Sequence, residues 1–347
     1  MNVACPVQMH VEVERLLLKA PFRISGYTFT EVPVVVVTLR SAHAVGRGEA
    51  AGVYYLEDSP AAIVRTLESN RGAIEAGIDR EALRQLLPVG GARNAVDCAL
   101  WDLEAKHAGR PVWQLAGVDH VAPRITTFTL SADDPATVAR SAKAVTQARA
   151  LKLKLNGEFD ADMDRVRAAR ESRPDVWLGV DANQGYSLGG LQAALPILLD
   201  ADVKLVEQPL PRGRESDLDG FASPIPLAAD ESVQGLADVA GLAGRFQVVN
   251  IKLDKCGGLT EALSIVNEAR RLGLRVMVGN MVGTSLAMAP AFVIAQLCDY
   301  VDLDGPTFIA QDRSPGVTYE SGSVYSADSV WGGANQPGVV SPRARVL

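Results

Sequence analysis

The sequence lacks the features that would tie it to an oxidising compartment, a membrane or a nucleic acid. Its four cysteines, Cys5, Cys98, Cys256 and Cys298, lie far apart with no CxxC or metal-like spacing, so they read as reduced thiols. No lysine- or arginine-rich block occurs and the net charge is −7, which argues against nucleic-acid and anionic-membrane partners. The apolar runs are cut by charges well short of membrane-spanning length, and no basic stretch with an apolar core opens the chain. No GxGxxG follows the first strand-like run, which argues against a dinucleotide site. The expectation is a cytoplasmic protein with a small-molecule partner.

What is present is 347 residues with 48% hydrophobic content, enough for a sizeable core and two domains. Two strand-like runs, 9–18 and 32–39, flank a turn around Gly26, and a helical pattern over 92–109 stops at Gly109. This beginning reads as α+β. From about Pro123 eight short β-rich runs follow: 124–130, 151–155, 176–181, 203–207, 225–230, 248–253, 274–279 and 300–304. Helical patterns at 160–171, 187–200, 258–272 and 285–297 lie between them. Eight strands with short crossovers predict a parallel βα barrel. No amphipathic helix follows the eighth strand, and the Gly-, Ser- and Pro-rich tail from Arg313 is expected to return to the first domain.

In such a barrel chemistry sits at the carboxyl ends of the strands. Asp181, Glu207 and Asp230 end the third, fourth and fifth strands. A single aspartate there is often a helix cap. Three carboxylates on successive strands, with adjacent strands ~4.8 Å apart, would repel unless a divalent cation joins them. The all-oxygen donor set favours Mg²⁺ and admits Mn²⁺. Lys154 ends the second strand and Lys255 follows the sixth, which places them on opposite sides of the ring. Lys152 shares the face of Lys154, and Asp302 and Asp304 share a face of the eighth strand.

Two bases facing one carbon suit a 1,1-proton transfer. One removes an α-proton beside a carboxylate, and the other returns a proton to the far side. Charge on the resulting enediolate needs compensation from the cation and from Lys152. A lysine near its reference pKa is protonated at neutral pH, and lowering it to about 7 corresponds to about 4.6 kcal/mol. A substrate carboxylate at the metal and a substrate ammonium at Asp302 and Asp304 would complete the arrangement, although these two aspartates also fit a barrel-closing ion pair. Asn250 and Lys252 fit support for Lys255 or ordinary strand positions. Glu231 and Asn183 fit site neighbours or helix starts, and Tyr54 and Tyr55 fit pocket walls or loop aromatics. His10, His43, His107 and His120 fall outside the grouping.

The segments "GRGEA" (46–50), "AVDCALWDLEAKHAGRPVWQLAG" (95–117), "LKLKL", "DANQGY", "VEQPL", "ADES", "NIKLDKCGG" and "VDLDGP" together resemble the enolase superfamily, within its muconate-cycloisomerase-like subgroup. The resemblance spans nearly the whole chain. It implies a modified TIM barrel, (β/α)₇β, over 121–312, an N-terminal α+β capping domain over 1–120, and a C-terminal segment 313–347 that returns to the cap. The D-x-D of strand eight looks like the feature with which dipeptide epimerases grip an α-ammonium. Carried over, Lys154 and Lys255 are the bases, Lys152 assists the substrate carboxylate, and Asp181, Glu207 and Asp230 hold Mg²⁺, in the metal-assisted mechanism general to that superfamily.

Some Ala-Glu epimerases carry an arginine in the loop after the first strand. The corresponding position here is Tyr27, with Arg23 nearby, and Gly283 stands where many relatives have glutamate. The implied activity is dipeptide epimerisation at the C-terminal residue. N-acyl amino-acid racemisation, cycloisomerase or dehydratase chemistry, and metal-dependent carboxylate binding without catalysis are the alternatives. Relatives of this kind commonly form homo-oligomers.

Overall fold

A computed structural model of the chain describes residues 6–24 and 27–334. Cys5, the turn at Gly26 and the tail beyond 334 lie outside the described residues. The cap begins with an antiparallel sheet of β1 (Gln8–Ile24), β2 (Tyr27–Arg40) and β3 (Val45–Ala50). Both long strands extend beyond the apolar runs that announce them. The valine run of β2 is covered on both faces. Val35, Val37 and Leu39 join the cap core, while Val34 packs with Leu16 and Ile309.

Strand β3 was not anticipated, because glycines weaken a strand pattern. Its glycines answer to packing. A Cβ on Gly46 would come within 2.0 Å of the Ala99 carbonyl oxygen, and one on Gly48 within 2.1 Å of that of Ala95. Both glycines thus let the helix Gly91–Ala108 lie directly on the sheet. That helix is buried around most of its surface and stops at Gly109, whose φ of 61° suits the residue without a side chain. Arg47, between the two glycines, donates its N–H to Asp102 Oδ2 at 2.9 Å.

The predicted run 124–130 divides in two. β4 (Arg124–Ile125) pairs with a hairpin of β13 (Thr318–Glu320) and β14 (Ser323–Tyr325). The chain then enters the barrel as β5 (Thr127–Leu130), β6 (Ala150–Lys154), β7 (Trp177–Asp181), β8 (Val203–Glu207), β9 (Leu227–Ala229), β10 (Val248–Ile251), β11 (Arg275–Val278) and β12 (Tyr300–Val301). These eight are parallel neighbours in chain order, as expected of the βα barrel.

Between β12 and β5 the barrel is joined by side chains. Thr126 Oγ1 accepts the Leu303 N–H at 2.9 Å, and Asp304 Oδ2 accepts the Thr129 N–H at 2.6 Å. Strand β12 is shorter than its predicted span 300–304: the Asp302 N–H still reaches the Val278 carbonyl at 2.9 Å, and the chain turns at Gly305–Thr307.

Alternation in β6 decides where its lysines go. Leu151, Leu153 and Leu155 pack outward into the core shared with the helices. Lys152 and Lys154, on the opposite face, enter the barrel and are buried. Beneath them Leu205, Ala228, Val248 and Met277 plug the interior with Trp177 and Tyr300. The tail reaches back to the cap, where the Trp331 indole N–H donates to the Arg47 carbonyl at 2.8 Å. Among the described residues no helix is long and apolar enough to cross a membrane.

Candidate active site

Register puts Lys154, Asp181 and Glu207 side by side on β6, β7 and β8. Asp230 follows β9. One oxygen from each of Asp181, Glu207 and Asp230 lies within 4.8 Å of the others, and all three residues are buried. Burial, then the neighbouring Asp181 carboxylate, pushes the Glu207 carboxyl up to about 8. A cation is what this crowd of like charges needs, and the donor set is the hard oxygen type that Mg²⁺ takes. The residues therefore fit such an ion.

Lysines surround the carboxylates. Lys152 Nζ lies 2.7 Å from Glu207, 2.8 Å from Asp302 and 3.4 Å from Asp181. Burial alone would depress this ammonium, but the carboxylates of Asp302, Glu207 and Asp181 hold it well above the ordinary lysine range. Lys152 is thus a fixed positive charge. Lys154 Nζ is 2.5 Å from Asp181 Oδ2. Lys255, on the one-turn helix Leu253–Cys256 after β10, reaches Asp230 Oδ1 at 2.5 Å. Burial pulls Lys255 below the usual lysine range despite Asp230, and the Lys252 charge adds to that pull.

The residues of uncertain purpose resolve geometrically. Asn250 donates its amide to Glu207 Oε1 at 2.9 Å, and Lys252 pairs with Asp230 Oδ2 at 2.7 Å. The Asn183 N–H donates to Asp181 Oδ1 at 2.9 Å. The buried oxygens Asn183 Oδ1 and Glu231 Oε2 have no partner, and burial beside Asp230 raises the Glu231 carboxyl to about 7.

Asp302 and Asp304 lie just past β12 and differ in their bonding. Asp302 is taken up on both oxygens, by Lys152 at 2.8 Å and by the Thr127 hydroxyl at 2.5 Å. Asp304 accepts the Thr129 N–H on one oxygen, and burial, then Asp302, raises it to about 7. Thr127 and Thr129 carry no sequence signal of this duty, because threonine is at home in any strand.

A cavity of ≈ 360 Å³ opens above these groups, with Lys152, Lys154, Lys252, Asp302 and Asp304 among its lining residues. The cap contributes Phe22, Phe29, Val32 and Tyr54 to the same cavity. Sequence reasoning overlooked the first three, since single apolar residues on a strand say nothing about a pocket. Neither Arg23 nor Tyr27 is among its lining residues. Arg23 is half-exposed and pairs with Asp133 at 3.0 Å, and Tyr27 is exposed with its ring edge against Tyr54 at 4.6 Å. Tyr54 therefore faces the cavity, while Tyr27 supports it from outside.

Two family models match the chain. The mandelate racemase/muconate lactonizing enzyme N-terminal domain covers residues 7–117, and the enolase C-terminal domain-like model covers 136–326. The chain belongs to this family. The family member from Escherichia coli strain K12 named L-Ala-D/L-Glu epimerase is 38% identical over 308 residues, covering 89% of this chain and 96% of that protein. A Pseudoalteromonas protein named N-acetyl-D-glutamate racemase is 43% identical over 250 residues, covering 72% of this chain and 78% of that one.

Among solved structures, an Agrobacterium tumefaciens enolase family member with bound sodium and L-Ala-L-Glu superposes with a TM-score of 0.89. It is 39% identical and covers 94% of this chain and 100% of that one. A dipeptide epimerase from Methylococcus capsulatus, complexed with Mg and L-Arg-D-Lys, gives a TM-score of 0.87 at 30% identity, covering 93% of this chain and 97% of that one.

Proposed function

We propose that this isomerase is a Mg²⁺-dependent dipeptide epimerase acting at the α-carbon of the C-terminal residue. The observation that carries the reading is the pair Lys154 and Lys255, buried on opposite flanks of the Asp181–Glu207–Asp230 triad, with Lys154 against Asp181 and lining the cavity and Lys255 against Asp230. Asp181, Glu207 and Asp230 hold the ion, with Mn²⁺ as an acceptable substitute. When bound, the ion supplies Lewis-acid stabilisation of the substrate carboxylate as negative charge builds on it.

The chain's own groups do the rest. Lys152, fixed in its protonated form, compensates the same developing charge from the barrel interior. One of Lys154 and Lys255 takes the α-proton, and the other delivers a proton to the opposite face. The depressed Lys255 ammonium is closer to the neutral form a base requires. Asp304, which accepts the Thr129 N–H on Oδ2 and lines the cavity, receives the substrate ammonium, and Asp302 holds Lys152 in place. Asn250 and Lys252 keep Glu207 and Asp230 oriented.

The test is α-proton exchange with deuterated water, followed by NMR across an L,L-dipeptide panel, with and without chelator. Exchange that chelation abolishes and Mg²⁺ restores is expected. Absence of exchange throughout would refute the reading. N-acyl amino-acid racemisation is the second reading, favoured by the full engagement of Asp302 and by the racemase relative. An acyl substrate has no ammonium, so Asp304→Asn would leave activity on it unchanged while lowering activity on a dipeptide.

A further inference from the structure

We infer that the reacting residue of the substrate carries an apolar side chain, and that the site discriminates against glutamate there. This rests on the dipeptide-epimerase reading and names its substrate class. The cavity wall above the lysines is an aromatic band. Phe308, four residues past Asp304, packs its ring 4.9 Å from Phe22. Phe22 is the register partner of Phe29 across β1 and β2, and the Phe29 ring lies 5.5 Å from Tyr54. Val32 and Val282 extend the same apolar wall. The band thus runs from the Asp304 end, where the substrate ammonium sits, to Tyr54, which lines the same cavity as Lys252.

Charges in the lining are already committed or have the wrong sign for an acidic side chain. The cations among the described lining residues are Lys152, Lys154 and Lys252. Lys152 is paired with Glu207 and Asp302, Lys154 with Asp181, and Lys252 with Asp230. On the cap side the lining charges are Glu57 and Asp58, both acidic. Arg23 is paired with Asp133 and is not among the lining residues. A side-chain carboxylate entering this pocket would lose its water without gaining a cation, whereas an apolar side chain gains contact with the aromatic band.

The band is also anchored. The Lys19 N–H donates to the Phe308 carbonyl at 2.8 Å and the Ala310 N–H to the Leu17 carbonyl at 2.8 Å, which ties β1 to the loop after β12. The wall is therefore built into the junction of cap and barrel.

The experiment measures kcat/KM for exchange and epimerisation of L-Ala-L-Leu, L-Ala-L-Phe and L-Ala-L-Glu by the wild-type protein, Phe29→Ala and Phe29→Arg. The apolar substrates are expected to exceed L-Ala-L-Glu by at least ~10-fold. Phe29→Ala should shrink that ratio by lowering the apolar values, and Phe29→Arg should shrink it further by raising the glutamate value. If the wild-type protein turns over L-Ala-L-Glu as well as or better than the apolar pair, the inference is overturned while the epimerase reading stands. If none of the dipeptides exchanges its α-proton, the epimerase reading falls and takes the inference with it. The wild-type panel and Phe29→Ala decide the matter even if the arginine variant does not fold.

Discussion

Removing each flanking lysine in turn should split one reaction into two unequal halves. With Lys154→Ala, only Lys255 remains to exchange the α-proton, and it can reach only the diastereomer whose proton faces it. With Lys255→Ala the same holds for Lys154 and the opposite diastereomer. General-base catalysis contributes ~10²–10⁴-fold, so epimerisation should fall by about that factor in either variant, or about 3–5 kcal/mol in the barrier. The fold should survive both changes. Asp181 keeps Lys152 at 3.4 Å after Lys154 is gone, and Asp230 keeps Lys252 at 2.7 Å after Lys255 is gone. Neither variant leaves a buried carboxylate without a cation, so the 3–5 kcal/mol cost of stripping a buried charge of its partner does not arise. The assay is α-proton exchange in deuterated water on L,L- and L,D-dipeptides, followed by NMR with circular dichroism as a control on folding. Each variant should exchange one diastereomer and lose the other, and the retained ones should differ. If both variants exchange the same diastereomer, or either epimerises at the wild-type rate, the two-base argument is wrong.

Two further outcomes concern the scaffold. Arg313 joins Glu14 of β1 and the fully buried Glu49 of β3 to Thr284 on the barrel, at 3.0, 2.8 and 2.7 Å. Arg313→Ala leaves Glu49 with the Thr284 donors but no cation among the described residues, so a loss of about 3 kcal/mol is expected in urea denaturation, and a loss below about 1 kcal/mol would contradict it. Asp97, buried against Thr260, has its carboxyl raised to about 6 chiefly by burial. Between about pH 4 and 6 the folded protein then holds a proton that the unfolded chain has released. Stability from this group is present at the acid end and falls as pH rises, by on the order of 3 kcal/mol. The difference in stability between wild type and Asp97→Asn, measured across this pH range, should show that slope.

Much of the barrel was legible because its strands are short apolar runs, several of them ending in a chemically distinctive residue. Asp181, Glu207 and Asp230 stand out as polar groups at the end of buried strands, and the chain-order sheet brings them together. The cap was harder to read. β3 escaped because Gly46 and Gly48 serve the approach of a distant helix, which no local pattern reveals. The eighth strand was read too long because Asp302 and Asp304 alternate as strand residues do. The Asp302 N–H still reaches Val278, but the chain turns at Gly305, and the two carboxylates bond Thr127, Lys152 and Thr129.

The sequence by itself determined the architecture and the membership of the charged cluster, since alternation in β6 can send Leu151, Leu153 and Leu155 outward only by sending Lys152 and Lys154 inward. Only the tertiary structure decided which carboxylate each lysine meets and what stands above them. Ion pairs among eight strands depend on register and reach. The aromatic wall is assembled from Phe22, Phe29, Tyr54 and Phe308, which are far apart in the chain and individually indistinguishable from core residues. A charge at a strand end announces itself locally, whereas an apolar surface acquires meaning only from what it is folded against.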